Sequence, residues 1–376
     1  MLTVFCAPAR YIQGRQATRV LAEEMRKLGL SAPALILSSP SPRKRLEAVW
    51  TETFRTADFA FELLEFAGEC SLAEIARCKD NALRTGARCI VGVGGGKALD
   101  TARAVASELG LPVVCCPTTA ASDAPCSALS VIYSAAGVFE KCLFYKRNPD
   151  LVLVDSSVII LAPVRYLISG MGDALATWFE ADAARRAHKA NAVGGASTIA
   201  AAALAELCYR TLLNDGAAAV AAATAGAITP AFERIVEANT LLSGLGFESG
   251  GLAVAHSVHN GLTAAPETHA YLHGEKVAFG TLVQLVLEGR DSTLVEEVMQ
   301  FCHHVGLPIT LAGLGIHSLS PAMARAIAER ATAIGETAHN EPFVVTADAV
   351  RDALFAADAW GRAFQAARAT RSVTSA

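Results

Sequence analysis

The chain has 376 residues, 52% of them hydrophobic and 18% charged, with a formal net charge of −4. That is too long for one ordinary core and too apolar for a disordered chain, so two domains are expected. Apart from Arg43-Lys44-Arg45 there is no basic cluster, which excludes a nucleic-acid surface and leaves small molecules as partners.

Ten cysteines are scattered with no C-x-x-C pair and read as small buried hydrophobes in a reducing compartment. The N-terminus MLTVFCAPARYIQG lacks the basic-then-apolar pattern of a signal peptide. The longest uncharged stretch, Gly216 to Phe232, is broken by Gly226 and Pro230, as in a packed helix pair rather than a membrane span. A soluble, cytoplasmic protein is expected.

In chain order, apolar spacing predicts a helix over 16–28 stopped by Gly29, a strand at 34–37, a helix over 46–54 and a strand over 61–66. A helix over 72–85, a strand at 89–93, a helix over 98–109 and a strand at 113–116 follow. This βαβα rhythm implies a parallel sheet covered on both faces. Residues 127–145 read as a hairpin around Ala135-Ala136-Gly137, and 151–154 as a last strand. From about Pro163 the pattern is helical and Ala-rich, and the last few residues should fray. The expected domains are 1–160, α/β, and 161–376, all-helical.

Four stretches carry chemistry. In Val91-Gly92-Val93-Gly94-Gly95-Gly96-Lys97 a glycine-rich turn joins strand to helix, so backbone amides can approach a pyrophosphate at a helix N-terminus. It lacks both the acidic residue about twenty positions on that a Rossmann fingerprint requires and the Walker Ser/Thr. Pro117 to Ser127 follows a strand end, where hydroxyls and Asp123 can meet a nucleotide and a polyol, with an Asx or Ser turn as the lesser alternative. Gly172-Asp173 opens an apolar helix, making Asp173 an N-terminal cap on a bare reading. Glu248 to Lys276 holds His256, His259, His269 and His273. The spacings 256/259 and 269/273 place ring pairs on one helical face, suiting either a metal or a solvated histidine face.

Together, GGGKxxD, PTTxxxDAPCSALSVIY, GDALATWFEA, GFESGGLAVAHSVHNGLT and HGEKVAFG resemble the iron-type (family III) alcohol dehydrogenases, in particular their glycerol dehydrogenase branch, nearly end to end. The resemblance implies a dehydroquinate synthase-like fold: an α/β nucleotide-binding domain, an all-helical domain and a metal-containing cleft between them. It assigns the metal to Asp173, His256 and His273, with His259 and His269 in supporting roles. It gives Asp123 the substrate hydroxyls and Phe247 an apolar wall of the substrate pocket. Cofactor contacts fall to Ser39, Gly94, Gly95, Gly96, Lys97, Asp100, Thr118, Thr119, Ser127, Leu129 and Tyr133. The implied reaction oxidises a vicinal diol, glycerol to dihydroxyacetone, with hydride passing to NAD, in a homo-oligomer, commonly an octamer.

Three departures matter. Iron-type relatives place a histidine four residues after the aspartate; here Thr177 stands there, which favours Zn²⁺ over Fe²⁺. Where the family ends its second strand in an aspartate for the adenosine ribose, this chain has Ser38-Ser39 followed by Arg43, Lys44 and Arg45. NADP is therefore the alternative, though NAD stays ahead because loop cations are usually just solvated. Ala121 replaces a family Ser/Thr, removing one cofactor hydrogen bond. Rival readings within the fold are an NADP-dependent polyol or aldehyde reductase, a glycerol-1-phosphate dehydrogenase and a dehydroquinate synthase. Phosphorylated or other anionic substrates call for Lys/Arg by the metal, and around His256 and His273 only Lys276 is basic. A non-catalytic nucleotide-binding protein should have lost a ligand or the glycine turn.

Overall fold

The computed structural model describes residues 1–135 and 137–374. Eight strands and fourteen helices are described: β1 (Tyr11–Gly14), α1 (Leu21–Lys27), β2 (Ala34–Ser38), α2 (Pro40–Thr56), β3 (Phe61–Glu65), α3 (Leu72–Thr85), β4 (Cys89–Gly94), α4 (Gly96–Leu109), β5 (Val113–Pro117), β6 (Leu129–Tyr133), β7 (Phe139–Phe144) and β8 (Leu151–Asp155), then α5 (Ser156–Ile159), α6 (Val164–Arg186), α7 (Ile199–Thr224), α8 (Pro230–Glu237), α9 (Ser243–Gly250), α10 (Val254–Leu262), α11 (His273–Leu287), α12 (Ser292–Val305), α13 (Pro321–Ala331) and α14 (Ala347–Thr374). Six strands form a parallel sheet in the order β1-β8-β5-β4-β2-β3, and β6 pairs antiparallel with β7. The expected α/β half followed by a helical half is what the chain forms.

Alternating side chains of the buried strands feed two layers. Ile36, Val91, Val114 and Leu153 pack with Leu21, Met25, Trp50 and Phe54 of α1 and α2. Leu35, Ile90, Cys115 and Val152 pack with Ile75, Leu99 and Val105 of α3 and α4, in a core continuous with the helical half. Because β2 and β5 flank β4 on opposite sides, the chain reverses its direction of travel across the sheet at β2/β4, the position beyond whose carboxyl ends sheets of this kind bind ligands.

Several expectations need correction. β1 was not anticipated: four half-buried residues, YIQG, carry no apolar alternation and become a strand only by pairing with β8. The helix expected over 46–54 starts at Pro40, because Pro40 and Pro42 occupy its first turn, where a missing N–H costs nothing. Arg43, Lys44 and Arg45 are thus helical rather than in a loop. The expected hairpin is β6–β7; Ala136 at its tip lies outside the described residues, as do Ser375 and Ala376 of the expected fraying end. Gly216 to Phe232 is the end of α7 and the start of α8, with Gly226 at φ +65° between them. Among the described residues no helix is long and apolar enough to cross a membrane.

Candidate active site

Asp173 lies in the middle of α6, not at a helix start, which overturns the capping reading. Gly170 and Gly172 do not break the helix; they let other backbone pass against it. A Cβ on Gly172 would sit 2.2 Å from the Gly274 carbonyl oxygen, and one on Gly274 only 1.7 Å from that of Ser169. The two glycines thus seat the first turn of α11, and His273 with it, directly on Asp173's turn of α6. Arg165 strengthens the junction by gripping both oxygens of Glu275 (2.6 and 2.7 Å), while Glu275 also accepts the Leu272 N–H (2.7 Å). The third element, α10, is brought against α11 at Gly280, where a Cβ would lie 2.4 Å from the Ala255 carbonyl oxygen.

These contacts bring Asp173, His256 and His273 together, with one donor atom of each within 4.8 Å of the others. His256 Nε2 and His273 Nε2 lie 3.3 and 3.1 Å from Asp173 Oδ1. That oxygen is buried and makes no hydrogen bond, so three lone-pair donors converge without a proton well placed to join them. The donor set of one carboxylate and two imidazoles fits a divalent cation. Asp173 is fully buried whereas the His273 side chain is 41% exposed, so the cluster is open on one side only. Burial works to raise the Asp173 carboxyl, but the His273 and His256 rings beside it hold it well below the usual range.

Two carboxylates extend the cluster. Glu180, two turns beyond Asp173, accepts from His256 Nδ1 (2.6 Å) and from the backbone N–H groups of His256 (3.0 Å) and Ala253 (2.9 Å). It caps α10 and presents Nε2 of His256 toward Asp173. Burial opposes protonation of His256, but Glu180 and Asp173 raise its pKa well above the ordinary value. The second is Asp123, whose N–H donates to Asp173 Oδ2 (3.2 Å) and whose Oδ2 accepts from Ser243 Oγ (3.0 Å). Burial, then the Asp173 charge, raises its carboxyl well above the usual range. Thr177 is bonded to Ser243 (2.8 Å) and thereby supports Asp123. Ser243 begins α9 directly after a π-turn over Ala238–Leu242, in which Asn239 donates to the Ala120 and Leu167 carbonyls (2.9 and 3.1 Å) and pins the β5 loop. Phe247, one turn past Ser243, is buried.

The four histidines do not behave alike. His269 and His273 share no helix: His269 lies in a 3₁₀ turn over Pro266–Ala270 and bonds the Thr263 carbonyl (3.0 Å). The expected pairing on one face fails because Tyr271 and Leu272 are extended between them. Instead His259 meets His273 across helices, ring centroids 4.2 Å apart. Burial, then the neighbouring His273 and Lys276, push the His259 pKa well down.

On the sheet side, Gly94 has φ +156° and a Cβ on it would fall 2.6 Å from Ser39 Oγ and 2.8 Å from Ala98 Cβ, so glycine lets β2, β4 and α4 meet there. Gly96 faces open space, and Thr118 N–H donates to the Gly94 carbonyl (3.0 Å), bringing the β5 loop beside the turn. Five residues further along that loop, Asp123 touches Asp173. One loop therefore touches both the turn and the acid–histidine cluster. Lys97 is drawn sideways to Glu69 (2.5 Å) and over the Tyr133 ring (4.7 Å). Asp100 is buried and turned inward: it pairs with Arg103 and accepts the Val131 N–H (3.1 Å). Arg103 in turn binds the Ala124 and Ser127 carbonyls and Ser127 Oγ. Asp100 and Ser127 thus brace the loop and hairpin that carry Asp123, Leu129 and Tyr133. Glu180, Asn239 and Ser243 escaped sequence reading; helical spacing of seven from Asp173 was the one available signal, for Glu180.

A model of the iron-containing alcohol dehydrogenases matches residues 8–156. A glycerol dehydrogenase of Pseudomonas putida is 49% identical over 95% of this chain and 98% of its own. A glycolaldehyde reductase of Halobacterium salinarum is 48% identical over 96% and 99%. The crystal structure of glycerol dehydrogenase from Schizosaccharomyces pombe superposes with a TM-score of 0.94 at 38% identity, covering 98% of this chain and 93% of that one.

Proposed function

Since this chain belongs to the iron-containing alcohol dehydrogenase family and is an NAD(P)-dependent alcohol dehydrogenase, we propose that it oxidises a vicinal diol, glycerol foremost, to the hydroxyketone, with NAD as hydride acceptor and zinc as bound cation. The observation that carries this reading is the buried Asp173 Oδ1, left without a hydrogen bond between two imidazole nitrogens. Asp173, His256 and His273 would hold the cation, and we assign the sheet half, 1–160, to the dinucleotide and the helical half, 161–376, to metal and substrate. When bound, such a cation acts as a Lewis acid that lowers a hydroxyl's pKa toward neutrality.

The chain's own groups supply the rest. Asp123, held by Ser243, is placed to accept a substrate hydroxyl's hydrogen bond and so to orient the diol, with Phe247 as apolar wall. The Gly94–Gly96 turn and the first amides of α4 receive a pyrophosphate, and Ser39, Thr118 and Thr119 flank it. NAD is favoured over NADP because Arg43, the first cation beyond Ser39, is engaged by Glu47 (3.3 Å) and Glu65 (3.8 Å). A neutral polyol is favoured over an anion because Lys276, the basic residue of the histidine stretch, is buried.

The test follows absorbance of the reduced nicotinamide with glycerol, 1,2-propanediol or glycerol-1-phosphate, and in reverse with dihydroxyacetone or glycolaldehyde, each with the NAD or NADP couple. Turnover of the neutral diols with NAD, abolished by chelation and restored by Zn²⁺, is expected. Full activity after exhaustive chelation, or turnover confined to glycerol-1-phosphate, would overturn the assignment.

A further inference from the structure

The two candidate metal-binding histidines are held differently. His256 has a carboxylate, Glu180, on its far nitrogen. His273, much the more exposed, has among the described residues only the ring of His259 there, with His273 Nδ1 3.0 Å from His259 Nε2. His259 Nδ1 lies 3.1 Å from Asn260 Oδ1, Asn260 Nδ2 donates to Glu336 Oε2 (2.9 Å), and Glu336 Oε1 is paired with Arg330. The chain of contacts thus runs from α11 through α10 to the segment after α13.

Its direction is dictated from the far end. A carboxylate paired with arginine only accepts, so the Asn260 amide must turn its NH₂ toward Glu336 and its oxygen toward His259. Facing an acceptor, His259 Nδ1 must carry the proton, which leaves Nε2 as a lone pair. His273 Nδ1 must then be the N–H, and His273 Nε2, the atom facing Asp173, is left unprotonated. Every link has one donor and one acceptor, and reversing any of them puts two like groups together.

We propose that Asn260 and Glu336 are positioning residues which, through His259, set the tautomer and ring plane of His273 so that its Nε2 lone pair is offered to the cation. The inference rests on the metal-site reading above. Outer partners of ligating histidines typically contribute 10- to 100-fold in metal affinity. Neither Asn260 nor Glu336 is among the groups assigned to the substrate, so the effect belongs to metal binding.

The experiment measures Zn²⁺ affinity of the purified protein by competition with a chromophoric chelator, with circular dichroism and thermal midpoints of the metal-free forms to register folding. Asn260→Leu, of similar size but without donor or acceptor, should bind Zn²⁺ about 10-fold more weakly or worse. Glu336→Gln, which no longer dictates the amide's direction, should lose severalfold. The double exchange Asn260→Asp with Glu336→Gln restores an acceptor for His259 and a donor behind it, and should return to within about 3-fold of the unaltered protein. A purely structural role predicts no such rescue. Unchanged affinity in Glu336→Gln and Asn260→Leu, or a double exchange no better than Asn260→Leu, overturns the proposal; if Asn260→Leu does not fold, Glu336→Gln and the exchange decide alone. Failure of the unaltered protein to bind Zn²⁺, or equal binding by Asp173→Asn, sinks the metal-site reading instead.

Discussion

At the scale of single residues, the site depends on groups whose hydrogen-bonding capacity is either fully used or pointedly unused. Asp173 Oδ1 is buried and accepts no hydrogen bond. Asp173→Asn keeps its size but replaces the anion, and metal content after dialysis should fall to background; retention equal to that of the unaltered protein contradicts the ligand scheme. Thr177 tests the neighbouring carboxylate. Thr177→Val removes the hydroxyl bonded to Ser243, and with it part of the support of Asp123. A drop in kcat/KM of roughly 5- to 10-fold is expected, equivalent to about 1 kcal/mol, with metal content unchanged. A parallel loss of metal would show that Thr177 serves the cation rather than the diol's orienting group. Neither role is readable from residue type alone, since a threonine inside a helix most often bonds its own backbone.

At the scale of elements, three helices share the proposed cation site because glycines let backbones touch. Gly274→Ala would drive a methyl to within 1.7 Å of the Ser169 carbonyl oxygen and 2.9 Å of the Asp173 nitrogen. Neither atom belongs to a flexible side chain, so α11 must retreat from α6. A stability loss of about 3 kcal/mol in chemical denaturation is expected, together with weakened Zn²⁺ affinity. A variant with unaltered affinity would mean that the α6–α11 approach does not position His273. The alternation of strands and helices was legible in the sequence because each buried strand is a short apolar run bounded by turn residues, as in Cys89–Gly94. β1 was not, since an edge strand needs no such run. The first turns of α2 precede the expected helix because Pro40 to Arg45 carry no apolar spacing, although a helix tolerates proline at its start.

At the scale of the whole molecule, segments distant in the chain meet at α10. Thr337 Oγ1 donates to the Ala253 carbonyl (2.7 Å), Asn340 Nδ2 to that of Leu252 (2.9 Å), and Ala338 N–H to Ser257 Oγ (2.7 Å). Next to them Glu341 is buried with neither carboxyl oxygen hydrogen-bonded. Burial, then the Glu288 and Glu180 charges, push its pKa up to about 8, with Arg186 opposing. Being raised in the folded state, this group contributes stability that is complete below the ordinary carboxyl value of 4.5 and is lost as pH rises through about 8. Glu341→Gln should therefore melt higher than the unaltered protein at pH 9 and alike at pH 5, the difference on the order of a few kcal/mol; equal melting at both pH values refutes this account.

What the amino-acid sequence determined by itself is local or repeated along the chain: the βαβα order, the glycine turn, and motifs long enough to mark the family. It also held the histidines, but their spacing promised a pair at 269 and 273 that does not exist. Which ring faces Asp173 and which faces a backbone carbonyl was decided only by the packing of α6, α10 and α11. Ligation and hydrogen bonding act between groups a few ångströms apart in space, and no one-dimensional pattern encodes the distance between residues from different helices until the helices have packed.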